Sequence, residues 1–117
     1  GEARILIQSP ISTYFRQDLI FETSVMSTDF LQKNPDTAKK IIRATDKAIE
    51  FIYNNPKLAR TYYSKFTPVD KEIQSQLPLG QYIPSYNMNP VEFQKTIDLF
   101  WTSNLISKPV AVTDILI

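Results

Sequence analysis

A mostly helical α+β fold is predicted by three observations. Two long stretches, Pro35 to Asn54 and Pro90 to Ser103, place apolar residues at three- and four-residue steps, the spacing of one face of an α-helix. Asn-Pro pairs at Asn34, Asn55 and Asn89 punctuate the chain where helices should begin, because asparagine suits a cap and proline suits the first helical position. Two runs near the start, Ala3 to Ile7 and Leu19 to Met26, have the composition and alternation of short strands.

In chain order, Ala3 to Ile7 reads as a buried strand closed by Ser9-Pro10. Ile11 to Asp18 has no steady period and reads as a loop. From Leu19 to Met26 the pattern alternates, with Phe21, Thr23 and Val25 on one side and Ile20, Glu22, Ser24 and Met26 on the other. Ser27 is placed to cap a short helix from Thr28 to Lys33, and Asn34-Pro35 ends that helix and starts the next. Ala38, Ile41, Ile42, Thr45, Ala48, Ile49 and Ile52 then form an apolar stripe. Asp46, Lys47 and Glu50 fall with Lys39, Lys40 and Arg43 mostly on the other side, as ordinary solvated charge patterning.

Asn55-Pro56 opens a third helix through Lys65, carrying Leu58, Tyr62 and Phe66 on one face. Thr67-Pro68-Val69-Asp70 reads as another start, with Thr67 as cap, Pro68 at the first position and Asp70 in the first turn, where the helix dipole favours an acid. Ile73 and Leu77 carry its apolar side and Pro78 ends it. The residues from Pro78 to Asn89 are aperiodic and read as a loop or extended segment. Phe93, Ile97, Phe100, Trp101 and Leu105 mark the second long helix, with Trp101 read as core. Asn104 suits a left-handed stop, and Thr113-Asp114 suits the cap of a last turn through Leu116.

With 117 residues the chain suffices for one modest domain, taken as a single unit over residues 1–117. Zero cysteines and zero histidines remove thiolate nucleophiles, imidazole bases, disulfides and the usual zinc ligands. The formal charge of +1 comes from interspersed signs, without the basic stripe that nucleic-acid binding needs. Two glycines leave no Gly-rich phosphate loop. No run of about twenty apolar residues is present. No cofactor and no catalytic function are therefore expected, since no serine has a visible base partner and no carboxylate pair stands out.

The order of these pieces carries a resemblance. An apolar start Gly-Glu-Ala-Arg-Ile-Leu-Ile, then Ser-Thr-Asp-Phe-Leu-Gln-Lys-Asn-Pro, a long helix ending in Asn-Asn-Pro, an Asn-Pro-Val-Glu-Phe-Gln helix and a closing Leu-Ile-Ser-Lys-Pro-Val-Ala-Val-Thr-Asp-Ile-Leu together resemble the C-terminal half of NMT1/THI5-like, type II extracytoplasmic solute-binding proteins. These serve ABC importers of the nitrate, sulfonate, taurine and pyrimidine-precursor type. The resemblance implies a fragment of a two-lobed clamshell, a small polar or anionic solute, an importer permease as partner, and a periplasmic or extracellular location. It also implies that the missing part of the fold lies upstream, with either a leader removed or the chain starting late, and that the isolated chain self-associates through uncovered strand edges.

By the same resemblance, Ser9, Glu22 and Ser24 would line the ligand cleft beside the hinge, and a charged Glu22 would suit an amine or hydrogen-bond donor better than a bare anion. From its own surroundings in the sequence, Glu22 reads simply as an exposed acid on a solvated strand face. The helix starts at Thr28, Pro35, Pro56, Pro68 and Pro90 present free amides that could hold an oxyanion, though most such ends meet water or their own cap. Tyr62, Tyr63, Tyr82 and Tyr86 include candidates for cleft or partner contacts. Two alternatives share the implied fold. One is a thiamine-pyrimidine synthase, whose chemistry relies on histidine and cysteine; the other is a ligand-sensing domain. A plain helical interaction module is a third reading.

Overall fold

The computed structural model describes residues 6–7, 10–14, 20 and 22–116. The elements are α-helices α1 (Pro10–Tyr14), α2 (Thr28–Lys33), α3 (Pro35–Asn54), α4 (Pro56–Thr61), α5 (Tyr63–Phe66), α6 (Lys71–Gln74) and α7 (Pro90–Thr102), with single 3-10 turns at Ser85–Asn87 and Val112–Asp114. The described residues fall into two compact units, one from Val25 to Met88 and the other comprising those before Val25 together with those from Asn89 onward.

No strand occurs among the described residues. Leu6 and Ile7 lie in a bend, and Ala3, Arg4 and Ile5 lie outside the described residues, as do Leu19 and Phe21. Residues 22–27 are irregular instead of a strand, and Val25 is 85% exposed. The β component of the predicted α+β class is thus corrected for the described residues. Alternation predisposes a segment to extend, but a strand is completed by a neighbour's amides and carbonyls, and among the described residues none pairs with this one. A second correction concerns Ile11 to Tyr14, predicted as loop and found in α1: five residues led by a proline are too short to show a period.

In the Val25–Met88 unit, Ser27 caps α2 as predicted, its extended backbone turning in while its Oγ accepts from Phe30 N at 3.2 Å. The caps at Asn34 and Asn55 work differently from the sequence expectation. Neither side chain accepts from the helix that follows. Each instead donates its amide back, Asn34 Nδ2 to Phe30 O at 3.4 Å and Asn55 Nδ2 to Phe51 O at 3.2 Å, alongside their backbone N–H groups on the same carbonyls. These asparagines close the preceding helix, and proline alone opens the next.

Along α3 the predicted stripe is only partly covered. Ala38 is buried, Ile42, Ile49 and Ile52 are half-buried, and Ile41, Thr45 and Ala48 are exposed. The predicted helix to Lys65 breaks at Tyr62 into α4 and α5, and Phe66 is 84% exposed. The Thr67-Pro68 start is also corrected: α6 begins at Lys71 after an extended Asp70, whose side chain makes no cap bond. Arg60 crosses this turn, Nε donating to Leu77 O at 2.9 Å and Nη1 to Pro56 O at 3.3 Å, so the chain beyond α6 is tied back to α4.

In the other unit, α7 begins at a true side-chain cap, Asn89 Oδ1 accepting from Val91 N at 3.0 Å and Glu92 N at 3.4 Å. Phe93, Thr96 and Ile97 are buried along it, and Thr96 can be buried because its hydroxyl donates to Glu92 O at 3.3 Å. Trp101 and Leu105, expected in the core, are 45% and 70% exposed. The helix ends as predicted at Asn104, with φ 57, and Leu105 N closes on Phe100 O at 2.8 Å. Gln94 then holds the chain's last segment like a short ladder: its Nε2 donates to Val110 O at 3.0 Å and its Oε1 accepts from Val112 N at 2.6 Å. Val112 is buried by this attachment, and Thr113 and Asp114, predicted to cap a last turn through Leu116, lie instead within a 3-10 turn over Val112–Asp114 that has no side-chain cap bond.

Candidate functional site

Three polar side chains of α3 share one face because they recur at four- and three-residue steps: Asp46, Glu50 and Tyr53. All three grip the segment that returns from α6. Asp46 Oδ1 accepts from Ser85 N and Oδ2 from Ser85 Oγ, both at 2.6 Å. Glu50 Oε1 accepts from the Tyr86 hydroxyl at 2.8 Å. The Tyr53 hydroxyl donates to Tyr82 O at 2.8 Å and accepts from Tyr82 N at 2.9 Å, satisfying both backbone groups of one residue with one oxygen. Apart from the single 3-10 turn at Ser85–Asn87, the returning chain is irregular, so these side chains satisfy backbone groups that regular secondary structure would otherwise pair.

Between α3 and this segment lies an open groove of about 490 Å³, whose polar and aromatic lining includes Glu50, Tyr53, Asn54, Tyr82, Tyr86 and Asn87. Buried Pro84 forms part of its wall. Gly80 admits the Tyr82 ring: a β-carbon there would lie 2.9 Å from Tyr82 Cζ and 3.0 Å from its oxygen. A larger residue at Gly80 would push the ring off its seat. Tyr86 holds its proton more tightly than an ordinary tyrosine, first because it donates to Glu50, then through desolvation and through the negative charges of Glu50 and Asp46. On the far side of α3's end, the Phe51 and Tyr62 rings lie 6.3 Å apart at 46°, and Lys65 Nζ stands 4.8 Å over Tyr62.

Of the residues the sequence analysis picked for a ligand cleft, Ser9 lies outside the described residues, and Glu22 and Ser24 are exposed in the segment before α2. The groove is built from the Val25–Met88 unit alone. Tyr82 and Tyr86, noted as margin tyrosines, line it; Asp46 and Glu50, read as solvated charges, are its hydrogen-bonding anchors. The four-residue step from Asp46 to Glu50 was visible in the sequence. Their partners were not, since they lie 39 and 36 positions further on. At the helix starts of α2 and α7, the capping side chains already occupy amides that could otherwise hold an oxyanion. No group of three or more acidic residues suited to a metal ion occurs among the described residues, and none of their helices is long and apolar enough to cross a membrane.

Comparison with curated proteins and with solved structures yields no match for the chain. A protein-family model does match, over residues 10–59, a stretch that runs from α1 through α2 and α3 into α4. This is less than half of the chain, and it contains the Ser27-capped helix, the Asn34-Pro35 junction and the long amphipathic helix on which the resemblance rests. Residues 10–59 are therefore similar to the NMT1/THI5-like family over that stretch.

Proposed function

We propose that the chain is part of the solute-binding component of an ABC importer and contributes one wall of a two-lobed cleft that captures a small sulfonate, nitrate, taurine-like or pyrimidine-type solute. The observation that carries this reading is the family match over residues 10–59. The partial cover of α3 and α4 supports it, because Ile41 and Phe51 on α3 and Leu58 on α4 remain exposed as they would on a unit whose apolar face meets further protein. On this reading the partners are the solute and the importer's permease, the location is periplasmic or extracellular, and the chain performs no turnover. A pyrimidine synthase of the same fold is the second reading, and it would need its histidine and cysteines from outside these 117 residues, which hold neither.

The test is a heteronuclear NMR titration of the chain with taurine, an alkyl sulfonate, nitrate and a hydroxymethylpyrimidine, with light scattering on the same samples. Millimolar-range shifts from one class of solute, in a chain that self-associates, are the expected result. No response to any member of the panel would overturn the solute-binding reading. A monomer that binds one member below micromolar would overturn the view that the chain is only one wall.

A further inference from the structure

We propose that the groove beside α3 is a binding site for a small organic cation, a solute carrying an alkylammonium group. The proposal rests on the groove's own geometry and not on the solute class argued above, so either can fail without the other.

Charge comes first. Glu50 is the ionisable carboxylate of the lining, and none of the lining side chains is basic. Asp46, one helical turn before it, adds a second negative charge close enough to act on Tyr86. A bare anion entering here meets repulsion, whereas a cation meets attraction.

The aromatic lining comes second. Tyr53, Tyr82 and Tyr86 all contribute to one concavity of about 490 Å³, within the range of small-molecule sites. Two of these rings are held before any ligand arrives, Tyr53 through its two bonds to the Tyr82 backbone and Tyr86 through its bond to Glu50, while Gly80 leaves the room that the Tyr82 ring occupies. Rings held in place lose less freedom on binding.

Donor supply comes third. The Tyr53 and Tyr86 hydroxyl protons are both committed, to Tyr82 O and to Glu50. What these two tyrosines have left to offer is the electron-rich faces of their rings, and an ammonium group with its flanking methyl groups is the chemistry those faces attract. Asn54 and Asn87 supply neutral amides at the margin for a hydroxyl or carbonyl on the rest of the solute.

The experiment is an NMR titration of the whole chain with three probes: choline, its neutral tert-butyl isostere and methanesulfonate. Choline should shift the signals of Tyr53, Tyr82 and Tyr86, while the neutral isostere binds at least about fivefold more weakly and methanesulfonate leaves the groove unchanged. Glu50→Gln keeps an acceptor for the Tyr86 hydroxyl and should weaken choline by about two- to fivefold, the scale of an exposed charge pair. Tyr82→Leu should weaken it by a similar factor through loss of a ring face. An unchanged Tyr82 amide signal in Glu50→Gln shows that the groove is still assembled. Equal binding of choline and its neutral isostere, no groove shifts with choline, or full choline affinity in an assembled Glu50→Gln variant would each overturn the proposal.

Discussion

Removing one oxygen, by Tyr53→Phe, tests the attachment of the returning segment to α3. The hydroxyl makes two hydrogen bonds with the backbone of Tyr82, at 2.8 and 2.9 Å, across 29 positions of sequence. A typical intramolecular hydrogen bond contributes about 0.5–1.5 kcal/mol net. Both bonds sit at exposed positions, so water can replace the lost partner, and the low half of that range applies. The expected loss is about 1–2 kcal/mol. Since the ring remains, the loss should be local: protection of the Tyr82 amide against hydrogen exchange should drop by a factor of about 5–30, while amides in the middle of α3 keep theirs. Exposed Tyr14, changed to Phe, serves as the control and should alter neither. Unchanged Tyr82 protection in Tyr53→Phe would show that the segment is held by something other than this hydroxyl, and the account of the groove would fall with it.

Three further outcomes follow from the same contacts. Tyr86 should be among the last of the six tyrosines to ionise in an absorbance titration, and Glu50→Gln should bring it back towards its ordinary value of about 10. Because its pKa is raised by folding, the contribution of this contact to stability is fully present below pH 10 and is lost as the pH rises through the shifted value, so Glu50→Gln should flatten stability against pH only at the alkaline end. Asn89→Ala should destabilise by about 1 kcal/mol, whereas Asn34→Ala, which removes no side-chain bond to the helix that follows, should cost clearly less in urea unfolding; equal costs would refute the distinction between the three Asn-Pro starts. Ile49→Asp should cost about 1–3 kcal/mol by placing a carboxylate on the half-buried side of α3, whereas Lys40→Asp should stay within about 0.5 kcal/mol, and equal melting temperatures would refute the assignment of that face.

The sequence by itself determined the existence and the starts of the main helices. Ser27, the prolines at 35, 56 and 90, and Asn104 act on backbone groups within a few residues, so their effects are local and readable in order. The period of Phe93 and Ile97 likewise told which side of α7 is buried. It did not tell where burial stops, because cover comes from elsewhere in the chain: Trp101 and Leu105 continue the same period and remain exposed. The same limit explains the segment from Glu22 to Val25, whose alternation prepares an extended backbone that only a neighbouring strand could complete. At the groove the dependence is strongest. Asp46 and Glu50 sit among lysines in sequence, and their character as anchors follows only from a chain reversal through α4, α5 and α6 that returns Tyr82, Ser85 and Tyr86 to them. Local chemistry fixes which groups can donate and accept, but tertiary structure alone decides which of them meet.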